Sequence, residues 1–197
     1  MDKTTQKLLR ENASKVDYLF SLVVKLLDIK PNEKVLDAGG GIGKLSSFTD
    51  CKNVDLIDIN EKAVKFAKRL NKYSDVSVGS ITNIGKKNKY YDKVCCIETL
   101  HYIQEWKATI DELFRVTRKR IIITIPNFTA LKILNFWRYK HYTNLEITEF
   151  KDYLRSKMRE REFTVEKYYS ANKFRKFRGR FLASEIAFVI DFNPSQA

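Results

Sequence analysis

Residues Val35 to Gly43 read VLDAGGGIG, an apolar run that contains an aspartate and is followed by four glycines within five positions. The chain has seven glycines in 197 residues, so more than half of them stand in this stretch. Glycine tolerates positive φ angles and lets another group approach the backbone closely. In a parallel α/β sheet, such a loop after the first strand is the usual ligand site, because ligands bind beyond the carboxyl ends of the strands.

Apolar runs and amphipathic segments alternate along the rest of the chain. This alternation predicts strands at 34–38, 54–59, 76–78, 93–97 and 120–125, and helices at 5–28, 61–71, 106–116 and 147–161, with a further helix opening at 42–48. Strands that are continuous apolar runs indicate a parallel sheet covered on both faces. Two late strands at 163–169 and 181–192 have no helix between them, which favours a hairpin at the sheet edge.

No repeat or linker divides the chain, and its length suits one domain. We therefore predict a single domain over 1–197, with an N-terminal helical cap at 1–30 and a substrate-covering insert and helix at 128–161. No apolar run is long enough to span a bilayer, and the first residues do not resemble a signal peptide, so a cytoplasmic protein is expected.

Composition limits the partners without choosing one. The formal net charge of +13 permits contact with nucleic acid, an acidic membrane surface or an anionic small molecule. The segment Asn172 to Arg180, NKFRKFRGR, either grips phosphates or forms a solvated basic hairpin. The three cysteines lack metal-ligand spacing, which predicts buried reduced thiols and no metal site.

The glycine spacing separates two ligand classes. A dinucleotide loop reads G-x-G-x-x-G, and this chain departs from it at Ser46 or at Lys44, depending on the glycine taken as first. The spacing Asp37-x-Gly39-x-Gly41-x-Gly43 instead resembles motif I of the class I S-adenosylmethionine-dependent methyltransferases. An oxidoreductase on a related fold is correspondingly disfavoured.

Further segments carry the same resemblance. Asp58 follows the second strand about 20 residues beyond the loop, where that family binds the ribose hydroxyls with an acidic residue. The segment YYDKVCCIETLHYI, Tyr90 to Ile103, is similar to the family's fourth-strand motif. The likeness is greatest to the small-molecule and quinone-biosynthesis-like group. It implies a doubly wound, mostly parallel seven-stranded sheet with an antiparallel last strand, and S-adenosyl-L-methionine as cofactor.

The resemblance also implies site residues. The cofactor-binding residues would be Asp37, Gly39, Gly41, Gly43, Asp58, Ile59, Ser80, Ile81 and Glu98. Ser80 stands where the family usually has an acidic residue near the adenine amino group, and a hydroxyl can accept the same hydrogen bond.

His101 is the candidate catalytic residue, since an imidazole can orient or deprotonate an acceptor near neutral pH, although a structural histidine is the alternative. The candidate substrate-binding residues are Tyr18, Asn127, Phe128, Trp137, His141 and Tyr142. The aromatic residues after the fifth strand either cap a substrate or form a lid packed on the sheet edge.

The resulting hypothesis is methyl transfer by direct displacement to a small-molecule acceptor, anionic or aromatic. An RNA methyltransferase that uses the basic surface is one alternative, and it predicts RNA binding that weakens steeply with salt. A non-catalytic cofactor-binding or scaffold protein is the other, and it predicts cofactor affinity without turnover.

Overall fold

The computed structural model describes residues 17–126, 145, 147–158, 162–169 and 185–193. Seven strands form one sheet in the order β3-β2-β1-β4-β5-β7-β6. Their bounds are β1 Val35–Ala38, β2 Val54–Asp58, β3 Asp75–Val78, β4 Tyr91–Cys96, β5 Thr117–Pro126, β6 Phe163–Tyr169 and β7 Glu185–Phe192. Strands β1 to β5 are parallel, and β7 is antiparallel to both of its neighbours. The predicted mostly parallel seven-stranded sheet with a reversed last strand is confirmed.

Helices cover both faces of this sheet. They are α1 at residues 17–27, α2 at Glu61–Leu70, α3 at Trp106–Val116 and α4 at Ile147–Lys157. The apolar sides of α3 and α4 share one buried cluster with β5 and β7. On the opposite face α1 packs on β1 and β5, and α2 packs on β2 and β3. The order of the strands reverses between β1 and β4, which is where this architecture places a ligand.

Adjacent cysteines in β4 show the two faces directly. Cys95 packs in the cluster that contains Leu19 of α1, and Cys96 packs in the cluster that contains Ile110 of α3. Both thiols are free and buried, as the sequence predicted, and so is Cys51. Burial raises the pKa of Cys96 to about 12, so this thiol stays protonated at neutral pH.

Ion pairs gather at the amino ends of the parallel strands. Glu33 accepts from Lys93 at 2.7 Å and from Lys119 at 3.0 Å. Lys119 also lies 3.0 Å from Asp92, which is bonded to Arg118 as well. Cations at the amino ends of β4 and β5 therefore neutralise acids of this chain.

The expected helix at 42–48 is wrong. The chain forms a short 3₁₀ turn over Lys44–Ser47 instead. The amide of Ser46 donates to the Gly43 carbonyl and that of Phe48 to the Leu45 carbonyl, which closes tight i→i+3 turns. The Ser46 hydroxyl donates to the same Gly43 carbonyl at 2.7 Å and occupies the acceptor that a continuing helix would use.

The helix expected at 147–161 is seen over Ile147–Lys157. Residues 5–16 of the expected first helix and residues 128–144 of the expected insert lie outside the described residues. No helix within the described ranges has the length and apolar character needed to cross a membrane.

Candidate functional site

A cleft of about 730 Å³ opens at the carboxyl ends of β1 to β4. It lies at the edge of the sheet opposite the ion pairs of the amino ends. Its described lining comprises Gly39, Asp58, Ile59, Asn60, Gly79, Ser80, Ile81, Thr82, Glu98, Thr99, Tyr102, Ile103, Gln104 and Glu105. Parallel strands bring these separate segments together because their carboxyl ends all meet at one edge.

Gly39 begins the loop after β1 with a φ of 72°. A Cβ on this residue would lie 2.3 Å from Thr99 Cγ2, so no side chain fits there. The Thr99 hydroxyl lies 3.0 Å from the Gly39 carbonyl oxygen and 2.9 Å from that of Ile97, and either oxygen can accept its hydrogen. Thr99 thus sets the position of the glycine loop against the end of β4.

Asp58 connects the end of β2 to the same loop. Its Oδ2 accepts from the Gly41 amide at 2.8 Å, and its Oδ1 accepts from the Asn60 amide at 2.8 Å. Each carboxylate oxygen can accept a second hydrogen bond, so the group can still bind a pair of hydroxyls. Among the described residues, a Cβ on Gly41 would have only Asp58 Oδ2 within 4 Å, at 3.9 Å.

Asp37 lies beneath the loop and does not belong to the described lining of the cleft. The side chain is buried and accepts from the Tyr73 hydroxyl at 3.1 Å and from the Cys95 thiol at 3.7 Å. Burial raises the pKa of Asp37 to about 7, and these hydrogen bonds offset only part of that effect. Asp37 therefore supports the loop from the core. The spacing of the motif gave no signal for Tyr73.

The segment after β3 offers hydroxyl groups and an apolar edge. The Ser80 and Thr82 hydroxyl oxygens lie 2.7 Å apart in a hydrogen bond, and Ser80 Oγ also accepts from the Thr82 amide at 3.2 Å. Ile81 is only 5% exposed and packs into the core, whereas Ile59 is 75% exposed at the cleft. Ile59 therefore presents the larger apolar surface to a ligand.

The segment after β4 is conformationally strained. Glu98 has a φ of 54°, which is rare for a residue other than glycine, and such strain gathers at functional sites. Its amide donates to Thr124 Oγ1 at 2.8 Å, so β5 helps to hold it. The backbone here is fixed before any ligand arrives.

His101 is buried, with 1% of its surface exposed. Burial lowers its pKa to about 4, so the imidazole is neutral at pH 7. Its ring centroid lies 4.2 Å from that of Tyr102, which is 57% exposed and lines the cleft, whereas His101 is not among the described lining residues. The catalytic assignment of His101 stays a prediction.

Of the predicted substrate residues, the structure describes Tyr18 alone. Tyr18 on α1 is 41% exposed and does not line the cleft formed by the described residues. The other five lie outside the described residues: Asn127, Phe128, Trp137, His141 and Tyr142. The same holds for the basic segment 172–180.

Eight residues of the described cleft lining were not predicted, and Thr82, Thr99, Tyr102 and Glu105 are polar or aromatic members of that group. Each stands shortly after a predicted strand, at its carboxyl end. A search of every strand end for polar and aromatic side chains would have found them.

Residues 36–124 match the family model described as a methyltransferase domain. This match supports the resemblance to the class I S-adenosylmethionine-dependent methyltransferases that the sequence predicts. The matched segment runs from β1 to β5 and contains every lining residue of the described cleft.

A demethylmenaquinone methyltransferase from Paenarthrobacter aurescens (strain TC1) is 27% identical over 119 residues. That alignment covers 59% of this chain and 47% of the relative, so this chain spans about half the length of the curated relative it matches.

Two solved structures share the fold. The first is the magnesium protoporphyrin IX methyltransferase of Synechocystis PCC 6803 with bound SAH, at a TM-score of 0.67 and 18% identity, covering 98% of this chain and 89% of that one. The second is the methyltransferase domain of bacterial CtHen1-C, at a TM-score of 0.71 and 18% identity. That match covers 91% of this chain and 99% of the other.

Proposed function

We propose that this methyltransferase binds S-adenosylmethionine in the cleft beyond β1 to β4 and transfers its methyl group to a small-molecule acceptor. The observation that carries the proposal is the hydrogen bond of 2.8 Å between the Gly41 amide and Asp58. It brings the glycine loop and the acidic end of β2 together beside a cleft of about 730 Å³. A nucleoside with a charged tail needs such a combination of open backbone and carboxylate.

The residues present fit that cofactor. Asp58 would accept hydrogen bonds from the two ribose hydroxyls, since a carboxylate offers an acceptor to each. The exposed side chain of Ile59 would cover one face of the adenine, and the Ser80 hydroxyl would accept from its amino group. The strained backbone at Glu98 would lie beside the methionine end.

When bound, S-adenosylmethionine supplies a methyl group on a positively charged sulfur. Attack of the acceptor's nucleophilic atom on that methyl carbon would break the C–S bond, whose electrons would stay on sulfur, and the acceptor's proton would pass to a base or to water. The contribution of the chain is to align the two molecules and exclude water, which can supply much of the rate. A neutral imidazole at His101 could take the proton through Tyr102 or water, and that role is part of the proposal.

RNA is the competing acceptor, favoured by the net charge of +13. Two observations support a small molecule instead. Lys93, Arg118 and Lys119 are engaged with acids at the amino ends of the strands. The charged residues of the described cleft lining are all acidic, which opposes a phosphate backbone.

Calorimetric titration with S-adenosylmethionine and with S-adenosylhomocysteine tests the cofactor site. We expect micromolar binding of both, and Asp58→Ala should weaken it by about 1–3 kcal/mol because charge-assisted hydrogen bonds are lost. Asp50→Ala is the matched control, since Asp50 is exposed and its ion-pair partner among the described residues is Lys52. No binding by the parent chain, or equal affinities in parent and Asp58→Ala, would overturn the assignment.

The acceptor class is tested by a second titration, with an RNA pool at two salt concentrations. An RNA substrate would bind with an affinity that falls steeply with salt and would be methylated. Cofactor binding without turnover on RNA or on any small acceptor would leave a scaffold role instead.

A further inference from the structure

We infer that the methyl acceptor carries a cationic group, such as a protonated amine or a basic ring nitrogen, and that Glu105 and Tyr102 recognise it. This inference rests on the proposed function, because it concerns the part of the same cleft that the proposed cofactor would not occupy. It names an acceptor class that differs from a phosphate, a carboxylate or RNA.

The charge of the cleft opposes that of the chain. Among its described lining residues, the charged ones are Asp58, Glu98 and Glu105, and none is a lysine or an arginine. The chain as a whole carries a formal charge of +13. Low-dielectric walls focus the field of such a cleft, so it attracts cations and repels anions although the whole molecule is basic.

The nearest lysine along the chain does not neutralise Glu105. Lys107 pairs with Glu149 of α4 at 2.9 Å, and its ammonium lies 5.2 Å from the ring centroid of Trp106. The ammonium is also 5.9 Å from the ring centroid of Tyr153, so it is held toward α4. Among the described residues, Lys107 therefore does not supply its charge to the carboxylate of Glu105, which belongs to the cleft lining.

Glu105 also has no structural task in the helix that it precedes. It is the N-cap residue of α3, but its side chain makes no capping hydrogen bond. The carbonyl oxygen of Glu105 accepts from the Thr109 amide at 3.0 Å, and a substitution of the side chain leaves that bond in place. The carboxylate can thus be changed with little effect on the fold.

Tyr102 supplies the second half of the recognition. Its side chain is 57% exposed and lines the cleft, and the buried ring of His101 supports it at a centroid distance of 4.2 Å. An aromatic face and a carboxylate that line one cleft form a combination that binds an ammonium group, through cation–π attraction and charge together. An anionic acceptor would instead meet like charges, which disfavour it.

Matched probes test the inference on the full chain saturated with S-adenosylhomocysteine. Tryptamine and indole-3-acetate share an indole ring and differ in the charge of the side chain, so their affinity ratio reports charge selection alone. We expect calorimetry to show tighter binding of tryptamine. Glu105→Gln should weaken tryptamine by about three- to tenfold, and Tyr102→Leu by a similar factor. Glu105→Lys should reverse the preference.

Glu162→Gln is the control, because Glu162 is an exposed glutamate that precedes β6 at the amino-end edge of the sheet and should leave the ratio unchanged. The inference would be overturned if indole-3-acetate bound as tightly as tryptamine or more tightly, or if tryptamine did not bind at millimolar concentration. It would also be overturned if the substitutions of Glu105 left the affinity ratio of the two probes unchanged. The titration with S-adenosylhomocysteine alone reports separately on the cofactor site, so a failure of the proposed function is recognised independently.

Discussion

Two glycines of the loop after β1 are required for different reasons, and alanine substitutions separate them. Gly39→Ala places a Cβ 2.3 Å from Thr99 Cγ2, and we expect it to cost about 3 kcal/mol of unfolding free energy or more. Among the described residues, Gly41→Ala meets no atom closer than 3.9 Å, so its φ of 55° is what opposes the side chain, at a cost of about 1 kcal/mol. Urea denaturation of both variants measures the difference, and equal costs would contradict the steric role of Thr99.

Asp37 makes the stability of the fold depend on pH. Its pKa is raised by burial from 3.8 to about 7 in the folded chain. Between these values the unfolded chain ionises Asp37 while the folded chain keeps it protonated, so this group's contribution to stability falls as pH rises through that range and is constant above it. Asp37→Asn should therefore gain roughly 1–3 kcal/mol relative to the parent between about pH 5 and about pH 8.

Denaturant unfolding of parent and Asp37→Asn across that range is the measurement. The asparagine oxygen can still accept from the Tyr73 hydroxyl, so the geometry of the contact is preserved. Asp50→Asn, at an exposed position, is the control. A difference between parent and Asp37→Asn that is the same at every pH would show that Asp37 does not titrate with folding.

At the scale of elements, the amino ends of the strands are joined by charge. Glu33 bridges Lys93 in β4 and Lys119 in β5, and the exposed fractions of the Glu33 and Lys93 side chains are 9% and 8%. Glu33→Gln leaves Lys93 buried without its carboxylate, and we expect a loss of about 1–3 kcal/mol of unfolding free energy. Asp152→Asn breaks an exposed pair with Arg155 and should cost less than about 0.5 kcal/mol. Similar losses in the two variants would contradict the dependence on burial.

Helices whose apolar residues recur at a regular spacing could be predicted from the sequence, whereas the geometry of short turns could not. The bounds of α3 were predicted as found, because its apolar residues recur at helical spacing over Trp106–Val116. The segment after Gly43 also has apolar residues, but a serine hydroxyl bonded to the carbonyl three residues earlier selects a 3₁₀ turn over a helix. Such a competition depends on side-chain rotamers that a pattern does not record.

Some residues of the candidate site could likewise be predicted from the sequence, and others could not. Gly39, Gly41 and Asp58 could be placed because their spacing forms a local motif. The residues that support them could not, because their contacts join distant parts of the chain: the Thr99–Gly39 hydrogen bond spans 60 positions and the Tyr73–Asp37 bond spans 36. Only the order of the strands in the sheet brings these pairs together.

At the scale of the whole molecule, the cleft links ligand binding to folding. Its lining comes from the ends of four strands, so it cannot persist in the unfolded chain, and any ligand that binds it must stabilise the folded state. At about 100 times its dissociation constant, S-adenosylhomocysteine should add about 2.7 kcal/mol to the unfolding free energy. For a chain of this size that is a rise of roughly 5–10 °C in Tm.

The Asp58→Ala variant is the control for this predicted rise in Tm. At one fixed concentration of S-adenosylhomocysteine, Asp58→Ala should gain less stability than the parent, because its dissociation constant is larger and the gain depends on the ratio of concentration to that constant. Differential scanning calorimetry at several ligand concentrations measures both proteins. A Tm of the parent that does not move with ligand would mean that the nucleoside does not bind the folded chain, whereas equal shifts in both proteins would place it away from Asp58.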